Sequence, residues 1–147
     1  MDEVAREAGV ARGTLYRHFP TREHLVAAIL QERVDELRRR ADQLLEAGDV
    51  RAALDEWLRL YHRDAAEYGG MHVGLADDTS PVARACEPMK ESFARLYSRA
   101  RDEGVVRSDL EPAQVLVLIS ALPAGPETGQ TSRAYLDVVL AGLRVSR

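Results

Sequence analysis

The chain is short of several things, and each shortage removes a class of function. One cysteine, Cys86, permits no internal disulfide, and its neighbours Val82, Ala85 and Met89 make it read as a small buried hydrophobe. Only 5% of the 147 residues are aromatic and strand-type runs are scarce, which favours an all-α protein. No apolar stretch approaches the roughly 20 residues needed to span a bilayer, and the first residues are too charged for a secretory signal. The expected location is therefore the cytoplasm. The four histidines, His18, His24, His62 and His72, show no H-E-x-x-H or E-x-x-H spacing, so no metal site is expected. No Ser, His and Asp spacing suggests a nucleophile and no glycine-rich loop suggests phosphate binding, so neither an enzyme nor a cofactor is expected.

Excess positive charge is also missing. A net charge of -4 argues against a nonspecific nucleic-acid coat, but the charge is unevenly spread. Residues 1–40 hold eight Arg against seven Asp and Glu, whereas residues 41–147 hold twelve basic against seventeen acidic side chains. Arg38, Arg39 and Arg40 form the one dense basic run, and Asp35 and Glu36 stand at four-residue spacing to pair with Arg39 and Arg40. That spacing reads as a solvated helix face.

What is present is concentrated at residues 4–19, VAREAGVARGTLYRHF. Val4, Ala5 and Ala8 put a small apolar face on a short helix, Gly9 supplies the left-handed residue that ends it, and Val10 is placed to plug the corner. A second short helix is expected from about Arg12 to His18. Its Leu15 and Phe19 face inward and Arg12, Gly13, Thr14, Tyr16, Arg17 and His18 point outward or flank that face. A short, polar, cation-bearing helix of this kind suits the DNA major groove.

These residues resemble the TetR family of bacterial repressors, in which an A-x-x-A-G-V turn leads into a T-L-Y-x-H-F recognition helix. The matching positions are Ala5, Ala8, Gly9, Val10, Gly13, Thr14, Leu15, Tyr16, His18 and Phe19, followed by Arg22, Leu25 and Ile29. The resemblance implies that Arg12, Gly13 and Thr14 enter the groove, that Tyr16, His18 and Arg22 meet phosphates, and that Arg17 serves either purpose. Ala11 stands where the family usually has Ser, removing a side-chain cap generally worth about 1 kcal/mol. Arg22 replaces a common Lys and keeps its charge. The family's DNA-binding lobe has three helices and this chain opens at the second, so weak DNA binding is expected unless a first helix is supplied.

Two regions are expected: residues 1–40, an N-terminally incomplete helix-turn-helix with the start of a connecting helix, and residues 41–147, a helical ligand-binding and dimerisation domain. Thr21 is placed to cap a long helix to about Ala47, with Leu25, Ile29, Leu30, Val34, Leu37, Ala41 and Leu44 on one side. Asp49 caps the next helix, carrying Val50, Leu54, Trp57, Leu58, Tyr61, Ala65 and Tyr68. Residues 71–75 suggest one short turn. Ser80 and Pro81 open a further helix to Gly104, which Pro88 should kink or restart near Glu87. Residues 104–110, GVVRSDL, resemble the family's link before its last two helices.

Pro112 opens a helix whose residues 115–119 are apolar on every side, and residues 135–143 of the final helix are nearly so. Such helices need cover on more than one face, which points to a homodimer. The expected interface residues are Leu116, Ile119, Leu136, Val139, Leu140 and Leu143, with Ala134, Ala141 and Gly142 allowing close approach. The resemblance further implies a small-molecule effector among the middle helices. The expected contacts are Trp57, Tyr61, His72, Met89 and Phe93, with His62, Tyr68, Met71 and Tyr97 nearby; aromatic and Met residues at helical spacing are also what an ordinary packed core requires. Together these imply a ligand-responsive, dimeric repressor on a palindromic DNA operator. The alternative is a dimerising small-molecule-binding protein without operator affinity.

Overall fold

The computed structural model describes residues 1–68, 79–123 and 129–145, and within them the chain is helical, with one isolated antiparallel bridge between Val106 and Arg144. The helices are α1 (Asp2–Glu7), α2 (Arg12–His18), α3 (Arg22–Leu44), α4 (Val50–Glu67), α5 (Pro81–Asp102), α6 (Pro112–Ser120) and α7 (Gly129–Leu143). The short turn expected at residues 71–75 lies outside the described residues.

The small lobe folds as its punctuation dictates. Gly9 takes φ +67°, a left-handed value that side-chain-bearing residues rarely adopt, and the Val10 N–H returns to the Ala5 carbonyl at 3.0 Å. Helices α1 and α2 pack on each other, and each buries one residue, Ala5 and Leu15. Phe19 is only half-buried, and Val10, expected to plug this corner, is instead 42% exposed, as is Val4 at 41%. The bend turns Val10 outward, where no described residue covers it. Ala11 opens α2 without a side-chain cap.

Thr21 does cap α3, accepting from the His24 N–H, and only Phe19, Pro20 and Thr21 separate α2 from α3. Leu30, Val34, Leu37, Ala41 and Leu44 recur at three- and four-residue spacing and are all buried. Ile29 departs from the expected stripe at 56% exposed, since it lies about 100° round the helix from the buried Leu30. Regular helix stops at Leu44, and hydrogen-bonded turns carry the chain to Ala47.

Helices α3, α4 and α5 share one core, in which α3 packs most extensively on α5. Trp57 stacks on Tyr61 and on Phe93, at ring-centroid distances of 5.4 and 4.6 Å, and its Nε1 donates to the Leu37 carbonyl at 2.9 Å. From α5, Arg99 Nη1 donates to the Leu45 and Ala47 carbonyls at 2.7 Å each, satisfying acceptors that the end of α3 leaves open. Arg95 adds an ion pair to Asp42. The basic run is a solvated face with partners other than those expected. Arg38 pairs with Asp42, Arg39 donates to the Asp35 backbone carbonyl, and Arg40 reaches Glu56 on α4, while Glu36 is taken by Arg33.

Pro88 neither ends nor restarts α5, which runs unbroken from Pro81 to Asp102 after its Ser80 cap. Pro88 and Arg84 both sit on the exposed side, so the carbonyl that loses its helical N–H partner is on the side where water can serve it. Gly104, at φ +70°, then turns the chain into the 104–110 link. There the Arg107 N–H donates to the Leu143 carbonyl at 2.8 Å, the Tyr97 hydroxyl donates to the Arg107 carbonyl at 3.3 Å, and the Arg107 guanidinium forks onto both oxygens of Asp109. Helix α7 is held to α4 by Asp55 with Arg144, Arg59 with Asp137, and His62 with Ser132. Residues 55, 59 and 62 stand at four and three, so one face of α4 carries all three ties.

Cys86 is 1% exposed, and burial pushes its thiol up to about 11, consistent with a packing role. Asp64, near the end of α4, is a more costly buried group. Its Oδ1 accepts from Arg63 Nε and Nη2 at 3.0 and 2.9 Å, while its Oδ2 has no hydrogen bond. Burial pushes the Asp64 carboxyl above its ordinary value, outweighing the opposing pull of Arg63 and Arg33. The folded chain thus holds the Asp64 proton more tightly than the unfolded chain does. The favourable contribution is present below the ordinary carboxyl value and is lost as pH rises through the raised one. Asp64→Asn, which cannot ionise, is therefore expected to be more stable than wild type at pH 7, with the advantage shrinking as pH falls through the raised value and gone by the ordinary carboxyl value of about 4. Urea melts of both chains at pH 7 and pH 4 measure this; an advantage that does not change with pH contradicts it.

Candidate nucleic-acid interface

Helix α2 buries one residue, Leu15, and turns nearly everything else outward. Arg12, Gly13, Arg17, His18 and Arg22 are exposed, and Thr14 and Tyr16 are half-buried. The seven expected DNA contacts therefore lie together on the short helix and at the start of α3. Arg17 and His18 occupy its last turn. Arg12 is not isolated: its Nε lies 3.1 Å from Asp2 Oδ1, and its guanidinium carbon stands 5.4 Å from the Tyr16 ring centroid. Gly13 is informative in another way. A Cβ placed on it would meet nothing within 4 Å, so the fold gives no reason for a residue that costs about 1 kcal/mol in a helix.

The expected effector contacts lie in the core. Trp57, Tyr61, Met89 and Phe93 are each no more than 1% exposed, and Tyr97, at 0%, stands 5.8 Å from Phe93. Tyr61 keeps one unmet need, a buried hydroxyl without a hydrogen bond, and burial pushes its pKa upward. His62 is buried against Ser132, and burial lowers its pKa. Tyr68 is half-buried with the Arg33 guanidinium 5.7 Å from its ring centroid. His72 and Met71 lie outside the described residues.

On α6 and α7, Leu116, Ile119, Leu136, Leu140 and Leu143 are buried within the subunit itself and Val139 is half-buried. The same helices expose Val117 at 45%, Leu118 at 42%, Tyr135 at 47% and Val138 at 70%, with Ala134, Ala141 and Gly142 also on the outside. Sequence reasoning missed Val117, Leu118, Tyr135 and Val138 because a helix apolar all round carries no periodic sign of which side its own core takes. It also missed Asp2 and Asp64. An acid four residues before a basic partner is visible in sequence, but one ten residues away across a turn is not. Among the described residues no group of three candidate ligands could hold a metal ion, and no helix is long and apolar enough to cross a membrane.

Known proteins place this geometry. The family described as "Transcriptional regulator SbtR-like, C-terminal domain" matches residues 49–145, and "Bacterial regulatory proteins, tetR family" matches residues 1–29. Among curated relatives, the chain is 23% identical to the HTH-type transcriptional repressor KstR2 of Mycolicibacterium smegmatis, over 99% of this chain and 80% of that protein. It is 34% identical to the HTH-type transcriptional activator FasR of the same organism over 46% of this chain and 33% of that one. Among solved structures it is similar to the TetR transcriptional regulator SCO0520 from Streptomyces coelicolor, at 31% identity and a TM-score of 0.66, covering 99% of this chain and 87% of that one. A TetR transcription regulatory protein from Mycobacterium vanbaalenii matches at 32% identity and a TM-score of 0.58, covering 98% and 82%. A matched regulatory domain over two thirds of the chain, joined to a helix-turn-helix match over its first residues, makes this chain a transcriptional regulator of the TetR family.

Proposed function

We propose that the chain acts as a homodimeric repressor that sets α2 of each subunit into the major groove of a palindromic operator and releases it when a small molecule binds among α4 and α5. The observation that carries the DNA reading is the outward face of α2, where Arg12, Gly13, Arg17 and His18 stand exposed on a helix fixed from behind by Leu15. In this reading Arg12, Gly13 and Thr14 approach the bases, and Tyr16, His18 and Arg22 fix the helix on the phosphates. Two recognition helices about 34 Å apart, or an in-phase multiple of that distance, suit successive turns of one groove.

The dimer reading rests on the outer faces of α6 and α7. Val117 and Leu118 on α6 and Tyr135 and Val138 on α7 leave apolar surface that the subunit does not cover, and the small residues Ala134, Ala141 and Gly142 on the outside of α7 permit close helix approach. Leu116, Ile119, Leu136, Leu140 and Leu143 then support the interface from within. For the effector, the Tyr61 hydroxyl offers an unsatisfied polar group beside the Trp57 and Phe93 rings, and a molecule bound there would have to part that stack.

Two outcomes follow. In the chain preceded by a family-like first helix, Arg12→Ala should relax base preference by about 1 to 3 kcal/mol, whereas Arg22→Ala should weaken binding to all sequences alike and reduce the salt slope by about 1 per subunit. Titrations of selected and unrelated duplexes at several salt concentrations separate the two; a uniform loss from Arg12→Ala contradicts the assignment. Val138→Arg should convert the dimer to a monomer with helicity retained, because the side chain is 70% exposed in the subunit and has little to disturb there. Light scattering with circular dichroism measures this, and an unchanged dimer mass removes Val138 from the interface.

A further inference from the structure

The contact between Asp2 and Arg12 is unusual for a surface that is to meet DNA, because it places a carboxylate among groups that must approach phosphates. Asp2 is the first residue of α1, and its Oδ1 lies 3.1 Å from Arg12 Nε and 3.5 Å from the Tyr16 hydroxyl. The Arg12 guanidinium is thus held on one side by a carboxylate and lies over a ring on another, with its carbon 5.4 Å from the Tyr16 centroid. Beside this ion pair and ring contact, the Arg12 guanidinium makes no hydrogen bond with a described residue. As an isolated surface ion pair this contact stabilises the fold little, with Arg12 and Asp2 side chains 70% and 62% exposed. Its effect on recognition is a separate matter.

A free arginine loses rotamer freedom when fixed for a bidentate contact, and one already braced loses less. Guanine presents N7 and O6 to the major groove as a pair of acceptors, which the two terminal nitrogens of an arginine held by its Nε can meet together. A carboxylate at the same corner repels phosphate, so it weakens binding to every sequence. The two effects have opposite sign, and their combination favours discrimination over affinity. We propose that Asp2 is a positioning residue for base recognition: with Tyr16 it holds Arg12 so that its Nη1 and Nη2 present a fixed fork to a guanine. This rests on the reading of α2 as the groove helix.

The test uses the full chain preceded by a family-like first helix, called wild type below, and a pool of duplexes with a randomised core. Duplexes retained by wild type are sequenced, and the preferred one is compared with a copy in which each guanine is replaced in turn and with an unrelated duplex. Arg12→Ala should abolish discrimination at one guanine. Asp2→Ala should lower discrimination at that same guanine by about tenfold while binding the unrelated duplex more tightly than wild type does. Asp2→Asn, which keeps a polar side chain of the same shape beside Arg12 but removes the charge, should gain the same nonspecific affinity and keep more of the discrimination. If Asp2→Ala fails to fold by circular dichroism, Asp2→Asn carries the affinity arm. A merely structural role for Asp2 would lower both affinities together. Wild-type discrimination in Asp2→Ala, with Arg12→Ala impaired, overturns this inference and leaves the groove assignment standing. Full discrimination in Arg12→Ala, or no sequence preference in wild type, overturns both.

Discussion

The indole of Trp57 ties together three helices, and the arrangement of the rest follows from it. Its ring is stacked on Tyr61 of its own helix and on Phe93 of α5, while its N–H is spent on the Leu37 carbonyl of α3. A buried indole N–H left without an acceptor costs on the order of 1 to 3 kcal/mol, so the register of α4 against α3 is set by this one bond. Arg99 and Arg95 fix the far end of α3 to α5 with bonds to Leu45, Ala47 and Asp42. From Leu30 onward α3 is therefore part of the helical body.

That attachment gives the long helix its consequence. Its first turns carry Arg22 and the exposed Ile29, and three residues beyond its start the chain is already in α2. So short a connection leaves α2 little freedom of its own, and a change of tilt in α3 moves the face that carries Arg12 and Arg17. On its opposite side α4 is tied to α7 through Asp55, Arg59 and His62, so the helix that holds Trp57 is also fastened to the helix that exposes Val138. One helix thus stands between the aromatic core, the connecting helix and the outer apolar face.

Much of this was legible from residue patterns. Gly9, Gly104, Thr21, Asp49 and Ser80 mark boundaries through backbone or capping chemistry that acts within a few residues, and each stands where the sequence places it. The outward set on α2 is legible for the same reason: a single buried residue, Leu15, fixes the rotation of a seven-residue helix. Long-range choices are not legible. Arg40 bonds Glu56 rather than Glu36 because α4 passes beside it, and Pro88 is tolerated because its side of α5 faces solvent. The exposed Val117, Leu118, Tyr135 and Val138 could not be told from Leu116, Ile119, Leu136 and Leu140 until the subunit's own core had taken its side.

Whether α3 is one rigid piece with the body is tested most directly by hydrogen exchange followed residue by residue. Amides of α3 from Leu30 to Leu44 should exchange only as slowly as global unfolding allows, in step with the core of α5, and those of α1 and α2 should exchange faster through local opening. In Trp57→Phe, which keeps the ring but loses the donor, protection around Leu37 and Ala41 should fall more than protection in α5. Exchange of the 30–44 amides by local fluctuation in wild type, independent of global stability, would contradict the claim that the connecting helix moves as part of the body.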